Sequence, residues 1–286
     1  MSSSRRDFLW HTLGGVGALA LLNACSSASG ETGVDASTGT DGSTTGHDGG
    51  TVNTSGFATG DGSFLEGKDY GNPFATTATT CTVYNAATAG PCHSNTYNHK
   101  DISAGLVGLP TRFELLVTNA SCNPVADAIV EVWYASPTGT YSKAATAESG
   151  TYQGSLSDLD VGFCTGNDAA AVASNWLRGY QTTDAKGRVT FDRIFPGWYS
   201  GRTTHVHFTV AINGTKTKTS QIFFDETLTT AVYAKHATYS PHGDKDTKNA
   251  TDKVVQQGLP VAVGISNYAQ QSDGALLVWK QITVEA

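Results

Sequence analysis

The stretch "PGWYSGRTTHVHFTV", Pro196 to Val210, joins a turn to a strand and is rich in groups that bind metals or anions. Side chains alternate between the two faces of a strand, so His205 and His207 point to one side and Val206 to the other. Two neighbouring imidazoles can chelate one metal ion, but His-x-His alone is weak evidence, because a purely structural pair looks the same. The stretch therefore predicts a strand with a candidate metal site on one face.

Tyr199 lies just upstream of this pair, after the turn Phe195–Gly197. A phenol with a reference pKa of about 10 is a poor ligand while it is protonated. A hard, highly charged ion stabilises the phenolate, which favours ferric iron over zinc. In this segment neither His-x-Asp nor His-x-Glu occurs, so the carboxylate of a ferrous facial triad is missing.

The chain from residue 72 to 286 has the pattern of short strands separated by turns, and its length suits one domain with a sizeable core. The predicted strands are Arg112–Asn119, Ala128–Ala135, Arg188–Phe195, Thr204–Ile212, Ser220–Phe224 and Leu276–Val284. Turn signals at Asn119–Pro124, Thr183–Gly187 and Asn213–Thr215 separate several of them, and Asp225–Lys235 is predicted to be helical. This pattern predicts an all-β domain, a β-sandwich or barrel.

The first 25 residues have the composition of an export signal. Arg5 and Arg6 precede Phe8 and Leu9 in a twin-arginine pattern. The apolar run Gly14–Ala24 has the length of a signal core and is too short to span a bilayer comfortably, which favours a signal peptide over an anchor helix. The twin-arginine machinery exports folded proteins, often with a cofactor already inserted, so this signal makes a bound metal more expected.

The apolar run ends in "LLNAC", and Leu22–Cys25 resembles a bacterial lipobox, although Asn23 is not the usual small residue. Cys25 is therefore a candidate for the acylated first residue of the mature chain. Residues 26–71 follow as a predicted flexible tether of Gly, Ser, Thr and Asp, whose few apolar residues cannot offset the entropy of ordering.

The chain is acidic, with a formal net charge of −7. Arg5, Arg6 and Asp7 together carry +1, so loss of the first 25 residues leaves −8. An acidic chain without a basic stripe argues against nucleic-acid binding.

Four cysteines remain besides Cys25, and an even number in an exported chain predicts two disulfides. They are Cys81, Cys92, Cys122 and Cys164, and the sequence leaves three pairings open. Zinc ligation by the four is disfavoured, because no Cys-x-x-Cys pair occurs.

Three segments together resemble the intradiol ring-cleavage dioxygenase family: "AIVEVWYASPTGTYS" (Ala128–Ser142), "LRGYQTTDAKGRVTFDRIFPGWYSGRTTHVHF" (Leu177–Phe208) and "SQIFF" (Ser220–Phe224). They occur in the family's order, and the similarity covers roughly Cys81 to Tyr233. Members are non-haem ferric enzymes that use O2 to split catechols between the two hydroxyl-bearing carbons. The resemblance implies a β-sandwich core, one Fe(III) per chain, and a muconate-type diacid as product.

The resemblance also implies the roles of particular residues. The implied iron ligands are Tyr141, Tyr199, His205 and His207. Tyr199 is the ligand that catechol displaces and that accepts its second proton. Arg202 stabilises negative charge on the attacked ring carbon, and Gln221 orients the substrate.

Each of these residues has a plainer interpretation when it is taken alone. Tyr141 would be a loop aromatic, Arg202 a surface residue paired with a carboxylate, and Gln221 a polar strand residue. Trp133 and Trp198 are expected in the core or the pocket wall. The histidines expected not to bind metal are His93, His99, His236 and His242.

The sequence departs from the family in "TAGPCHS", Thr88–Ser94, where many members have "TEGPYY". Cys92 replaces an aromatic of the substrate pocket, which indicates either an unusual catechol or a disulfide, with Cys81 as one candidate partner. The short spacing from Tyr199 to His205 places the chain nearer an exported, twin-arginine subgroup with a more open pocket. Two other function classes stay open: a non-catalytic module that binds aromatics or carbohydrates on a cell-surface lipoprotein, and a copper or zinc protein.

Overall fold

Two four-stranded β-sheets that share one core form the frame of the fold. The computed structural model describes residues 51–52, 56–75, 80–143, 150–152 and 159–286. The strands are β1 (Thr51–Val52), β2 (Ala58–Thr59), β3 (Pro110–Asn119), β4 (Ile129–Trp133), β5 (Arg178–Thr182), β6 (Arg188–Ile194), β7 (His205–Ile212), β8 (Thr215–Phe223), β9 (Asn267–Gln270) and β10 (Leu276–Val284). The helices are α1 (Val161–Thr165), α2 (Ala169–Ala173), α3 (Glu226–Lys235), α4 (Lys253–Gln256) and α5 (Val261–Gly264).

The two sheets differ in how their strands run. The first has the order β6-β3-β10-β9, in which β3 and β10 are parallel and the other pairs antiparallel. The second has the order β5-β4-β7-β8 and is antiparallel throughout. Strands β1 and β2 form a separate antiparallel pair.

Alternation along the strands builds the core. Alternate residues of three central strands, apart from Lys280 on β10, are buried in one cluster: Phe113, Leu115, Val117, Val206, Phe208, Val210, Leu276, Val278, Ile282 and Val284. Burying apolar area of this kind is the main favourable term in folding. Because Val206 faces this core, the neighbouring histidines of β7 face the opposite side of their sheet. The expected all-β sandwich is confirmed.

The predicted elements all occur, most of them with shifted ends. Leu276–Val284 matches its prediction, whereas the strand expected at Ser220–Phe224 begins earlier, at Thr215. The predicted helix is α3, and the Asp225 side chain caps it by accepting hydrogen bonds from the backbone N–H groups of Thr227 and Leu228. Strands β5 and β9 were not predicted, because "RGYQT" and "NYAQ" lack an apolar alternation.

The folded domain begins before residue 72, so the predicted tether boundary at residue 71 is wrong for its last part. Phe57 and Leu65 are buried, and the Leu65 carbonyl accepts a hydrogen bond from Arg112. Asp61 caps a 3-10 turn at Gly62–Leu65. Phe57 and Leu65 are among the few apolar residues of a polar stretch, so the sequence showed no helix or strand periodicity there. In the structure both side chains are buried in the domain.

The predicted signal peptide, the lipobox at Cys25 and most of the tether lie outside the described residues. Within the described ranges, no helix combines the length and apolar character needed to cross a bilayer.

Two disulfides link the four cysteines as Cys81–Cys122 and Cys92–Cys164. The candidate pairing of Cys92 with Cys81 is therefore wrong. Since all four sulfurs are bonded to one another in pairs, a zinc site made of these cysteines is excluded.

Candidate metal centre

Four side chains direct their donor atoms at one point on the outer face of the second sheet. Nε2 of His205 lies 3.1 Å from Nε2 of His207. The phenol oxygens of Tyr141 and Tyr199 lie 3.3 Å and 3.4 Å from the same His205 nitrogen. Two phenol oxygens and two imidazole nitrogens, from residues far apart in the sequence, thus form one cluster.

A hydrogen bond fixes the ring of His205. Its Nδ1 donates to the Thr203 carbonyl at 2.6 Å, which leaves Nε2 as the free lone pair of the neutral ring. Burial and the Arg202 charge lower the pKa of His205 to about 3, so the ring is neutral at physiological pH. A neutral imidazole with an inward Nε2 lone pair is the form that binds metals.

Stacking, in contrast, orients the ring of His207. Its ring lies parallel to the indole of Trp133, with centroids 5.1 Å apart. The His93 ring also stacks on that indole, with centroids 4.0 Å apart, and His93 Nε2 lies 2.9 Å from the buried Glu131 carboxylate. Nδ1 of His207 has no hydrogen-bond partner of good geometry among the described residues. Burial, followed by the repulsion that a protonated His205 would exert, holds the pKa of His207 well below its usual value.

The register of the second sheet explains this stack. His207 pairs with Trp133 on β4 and with Gln221 on β8, and Trp133 pairs with Arg178 on β5. Directly opposed residues of antiparallel strands project to the same face. Arg178, Trp133, His207 and Gln221 therefore form a single row across the four strands, which we call the cross-strand row.

Tyr141 reaches the site from the segment that follows β4. Its backbone N–H donates to the Cys164 carbonyl at 2.6 Å, and its ring is buried among Cys92, Trp133 and Cys164. The Arg178 guanidinium lies 5.9 Å from the Tyr141 ring centroid. Burial raises the pKa of Tyr141 well above its usual value, so this phenol needs a strong positive charge to ionise.

Tyr199 lies in a turn that also carries Arg202. The Tyr199 carbonyl accepts a hydrogen bond from the Arg202 backbone N–H at 3.2 Å, and their side chains meet, with Nη1 3.5 Å from the phenol oxygen. Gly197, just before the turn, packs so tightly that a Cβ there would lie 1.9 Å from the Ser136 carbonyl oxygen. Burial raises the pKa of Tyr199, and Arg202 partly offsets this.

Arg202 is buried and held from two sides. Its Nε donates to the Asp252 carboxylate at 2.8 Å, and its Nη2 donates to the side-chain oxygen of Gln221. Gln221 is held in turn, because its side-chain nitrogen donates to the Thr88 carbonyl at 3.0 Å. Nη1 is the remaining arm and lies 3.4 Å from His205 Nε2. The guanidinium is thus fixed with one edge toward the donor cluster.

The separations within the cluster suit a metal ion. Ligand atoms about 2.1 Å from a metal lie about 3.0 to 3.4 Å apart in square or tetrahedral arrangements, and the distances around His205 Nε2 are 3.1, 3.3 and 3.4 Å. Among the described residues, no group of three or more His, Cys, Asp or Glu is arranged to hold a metal. A metal at the histidine pair would therefore need the phenol oxygens, and phenolates suit a hard, highly charged ion.

The six residues expected at the site all lie together in the structure: Tyr141, Tyr199, Arg202, His205, His207 and Gln221. Three histidines expected not to bind metal have other contacts. His93 pairs with Glu131, His236 lies 2.9 Å from the Ala58 carbonyl and His242 lies 3.0 Å from the Trp198 carbonyl.

Sequence reasoning missed the residues that support the cluster. Asp252 lies fifty positions from Arg202 in a segment without a motif, so no local pattern links the two. Arg178 was not singled out, and Trp133 was expected only in the core or the pocket wall. The contact of Trp133 with His207 depends on the register of β4 and β7, which the sequence does not determine.

Comparison with known proteins bears on the fold. No protein-family model and no curated protein matches the sequence. An intradiol ring-cleavage dioxygenase from Tetranychus urticae is 24% identical, with a TM-score of 0.59 over 72% of this chain and 95% of its own. A second solved dioxygenase is also 24% identical, with a TM-score of 0.58 over the same shares. The chain therefore has the β-sandwich fold of the intradiol ring-cleavage dioxygenases.

Proposed function

We propose that the chain is a non-haem Fe(III) intradiol dioxygenase. It cleaves the ring of a catechol-type substrate between the two hydroxylated carbons and incorporates both atoms of O2, giving a muconate-type diacid. The proposal rests on three donor atoms, the phenol oxygens of Tyr141 and Tyr199 and Nε2 of His207, that lie 3.1 to 3.4 Å from His205 Nε2. The fold of the domain supports the same reaction class.

The residues that would hold the iron are Tyr141, Tyr199, His205 and His207. Fe(III), when bound, would supply a Lewis acid that binds both catechol oxygens and draws electron density from the ring. Burial raises the pKa of both phenols, so each stays protonated unless a strong positive charge stabilises its phenolate. A ferric ion would supply such a charge.

Tyr199 would accept a proton during substrate binding. Of the two tyrosines it is the more exposed, since it lies in a turn, whereas Tyr141 is enclosed between the Cys92–Cys164 disulfide and Trp133. A catechol has two hydroxyl protons to lose before it binds as a dianion. The Tyr199 oxygen is positioned to take one of them, and Arg202 Nη1, 3.5 Å from that oxygen, would stabilise negative charge on it.

Arg202 would stabilise the negative charge that develops on the ring carbon attacked by O2. A buried guanidinium held by Asp252 and Gln221 is preorganised, so little free energy is spent on reorienting it as charge develops. Ring cleavage by O2 consumes no external reductant, since both oxygen atoms end in the product.

Colour and oxygen uptake test this proposal. Tyrosinate bound to Fe(III) gives a red-brown protein through charge transfer, so iron-loaded protein should absorb in the visible range. Addition of a catechol should then consume one O2 per catechol and yield a diacid labelled at both carboxyls from ¹⁸O2. A colourless protein that holds one zinc per chain, or a coloured one that leaves every catechol of a broad panel intact, would contradict the proposal.

We also propose export by the twin-arginine route, with a lipid at Cys25. The two disulfides support an oxidising compartment. Replacement of both Arg5 and Arg6 by lysine should trap the chain in the cytoplasm, and Cys25→Ser should release it from the membrane fraction. A periplasmic, membrane-bound product from both variants would argue against this localisation.

A further inference from the structure

We propose that the Cys92–Cys164 disulfide is a positioning element of the metal centre, which holds Tyr141 in place against the histidine pair. The inference rests on the proposed function, because it assigns a supporting role within that site. The bond joins helix α1 to the segment that holds Cys92, and both cysteines pack with Tyr141 and Trp133. We refer to it as the site disulfide.

Cys164, at one end of the bond, holds Tyr141 in place. Cys164 lies in helix α1, which Asp160 caps, and its carbonyl accepts the Tyr141 backbone N–H at 2.6 Å. The Tyr141 ring packs in a small cluster with both cysteines and Trp133. A displacement of α1 would therefore move the Tyr141 oxygen, which lies 3.3 Å from His205 Nε2.

The Cys92 end of the bond supports the other side of the cluster. In the segment before Cys92, a Cβ on Gly90 would lie 3.3 Å from the His207 ring, and the Thr88 carbonyl accepts the side-chain amide of Gln221. The following residue, His93, stacks on the indole that supports His207. This segment therefore fixes one end of the cross-strand row.

Arg178 forms a second, non-covalent link between the Cys92 segment and the Tyr141 segment. Its Nη1 donates to the Cys92 carbonyl at 2.7 Å, and its Nε donates to the carbonyl of Ser142, the neighbour of Tyr141, at 2.8 Å. The covalent bond and this buried guanidinium span the same gap. Without the covalent bond, only these hydrogen bonds and the packing of the small cluster around Tyr141 would hold the Cys92 segment against the Tyr141 segment.

The second disulfide is a matched control within the same chain. Cys122 follows the end of β3, and Cys81 Sγ lies 3.0 Å from the Gln281 side chain on β10. Both of these strands belong to the other sheet. Loss of either disulfide removes a constraint on the unfolded chain and so lowers the stability of the fold. Of the two, only the site disulfide packs against a proposed iron ligand, Tyr141.

The experiment compares two double variants, Cys92→Ala/Cys164→Ala and Cys81→Ala/Cys122→Ala, with the wild-type chain. Fe(III) is titrated into each protein, and the tyrosinate charge-transfer band and the dissociation constant are measured, together with the thermal midpoint. We expect the site variant to bind Fe(III) about 10- to 100-fold more weakly, the range typical for loss of a supporting contact, with a shifted band. The control variant should keep the wild-type affinity and band.

Two outcomes would overturn the inference: wild-type affinity and band in the site variant, or equal losses in both variants, which would indicate a general loss of stability. A wild-type chain without any tyrosinate band would instead refute the proposed function, and the inference would fall with it. If the site variant does not fold, the folded wild-type protein is loaded with Ga(III), which is redox-inert. Both of its disulfides are then reduced. Release of Ga(III) to a chelator is then followed, with the Cys81→Ala/Cys122→Ala protein treated in parallel. Unchanged release on reduction of both proteins would also overturn the inference.

Discussion

The indole of Trp133 lies 6° from parallel with the ring of His207, and the two residues are register partners on adjacent strands. The other histidine of the pair, His205, is held by a hydrogen bond to the Thr203 carbonyl. Two adjacent donors on one strand are thus oriented by different forces. Their responses to substitution should differ accordingly.

Trp133→Leu should weaken Fe(III) binding about tenfold, because it removes the flat surface that orients His207. Trp133→Phe retains an aromatic face and serves as the matched control, with a smaller loss. Iron titration and the electron paramagnetic resonance spectrum of the ferric site would measure both effects. Equal affinities and identical spectra for the two variants would show that stacking does not orient His207.

Replacement of the two tyrosines by phenylalanine should have unequal effects. Tyr141→Phe removes an enclosed oxygen and should lower iron affinity and alter the charge-transfer band. Tyr199→Phe should alter the band as well, but its main effect should be on kcat, since this residue is proposed to accept a substrate proton. Tyr239→Phe, which removes a buried phenol bonded to the Phe195 carbonyl, is the control. A Tyr141→Phe protein with an unaltered spectrum would refute the ligand assignment.

Asp252→Asn should destabilise the fold and slow turnover. The carboxylate is buried and accepts hydrogen bonds from Arg202 Nε and from the Thr203 and Val254 backbone N–H groups. Breaking a buried ion pair by removing one charge costs about 3 to 5 kcal/mol, and Arg202 would lose its fixed orientation. Denaturant unfolding and steady-state kinetics would measure these losses.

Asp246→Asn is the matched control for that variant, since this exposed carboxylate binds the same turn through Ser200 and Gly201. It should change stability by less than about 1 kcal/mol. An Asp252→Asn protein as stable and active as this control would contradict the prediction.

Lys280→Met should stabilise the protein at neutral pH. Burial lowers the pKa of Lys280 to about 8, although its ammonium donates to the Ile265 carbonyl. Between about pH 8 and 10.5 the unfolded chain holds a proton that the folded chain has lost, so wild-type stability rises with pH there. One proton contributes at most about 1.4 kcal/mol per pH unit.

The variant should lack this rise, so its advantage over the wild type should shrink from pH 8 to 10.5. Denaturant unfolding across this range, with the exposed Lys216→Met as control, would measure it. An advantage that stays constant with pH would show that burial does not shift the titration of Lys280.

The strands that the sequence predicted are those rich in apolar, β-branched and aromatic residues. β7 reads "HVHFTVAI" and β10 reads "LLVWKQITV", so the sequence pattern alone located them. β5 reads "RGYQT", and its first residue, Arg178, is buried by contacts with the Cys92 and Ser142 carbonyls. A strand defined by such long-range partners has no local signal.

The same distinction applies to the site. His205, His207, Tyr199 and Arg202 lie within nine residues and share one turn and strand, so their proximity followed from local geometry. Tyr141 and Gln221 were found only through resemblance to a family. The pairing of Cys92 with Cys164 and of Arg202 with Asp252 depends on how distant segments meet, and spacing carried no information about either.

The cross-strand row has a consequence for how the protein matures. A slip of one residue between β4 and β7 would turn Trp133 or His207 to the opposite face and dismantle the donor cluster. The proposed binding of Fe(III) would therefore require β4 and β7 to pair in the observed register. In a refolding experiment, the tyrosinate band would then report the fraction of chains in which this pairing has formed.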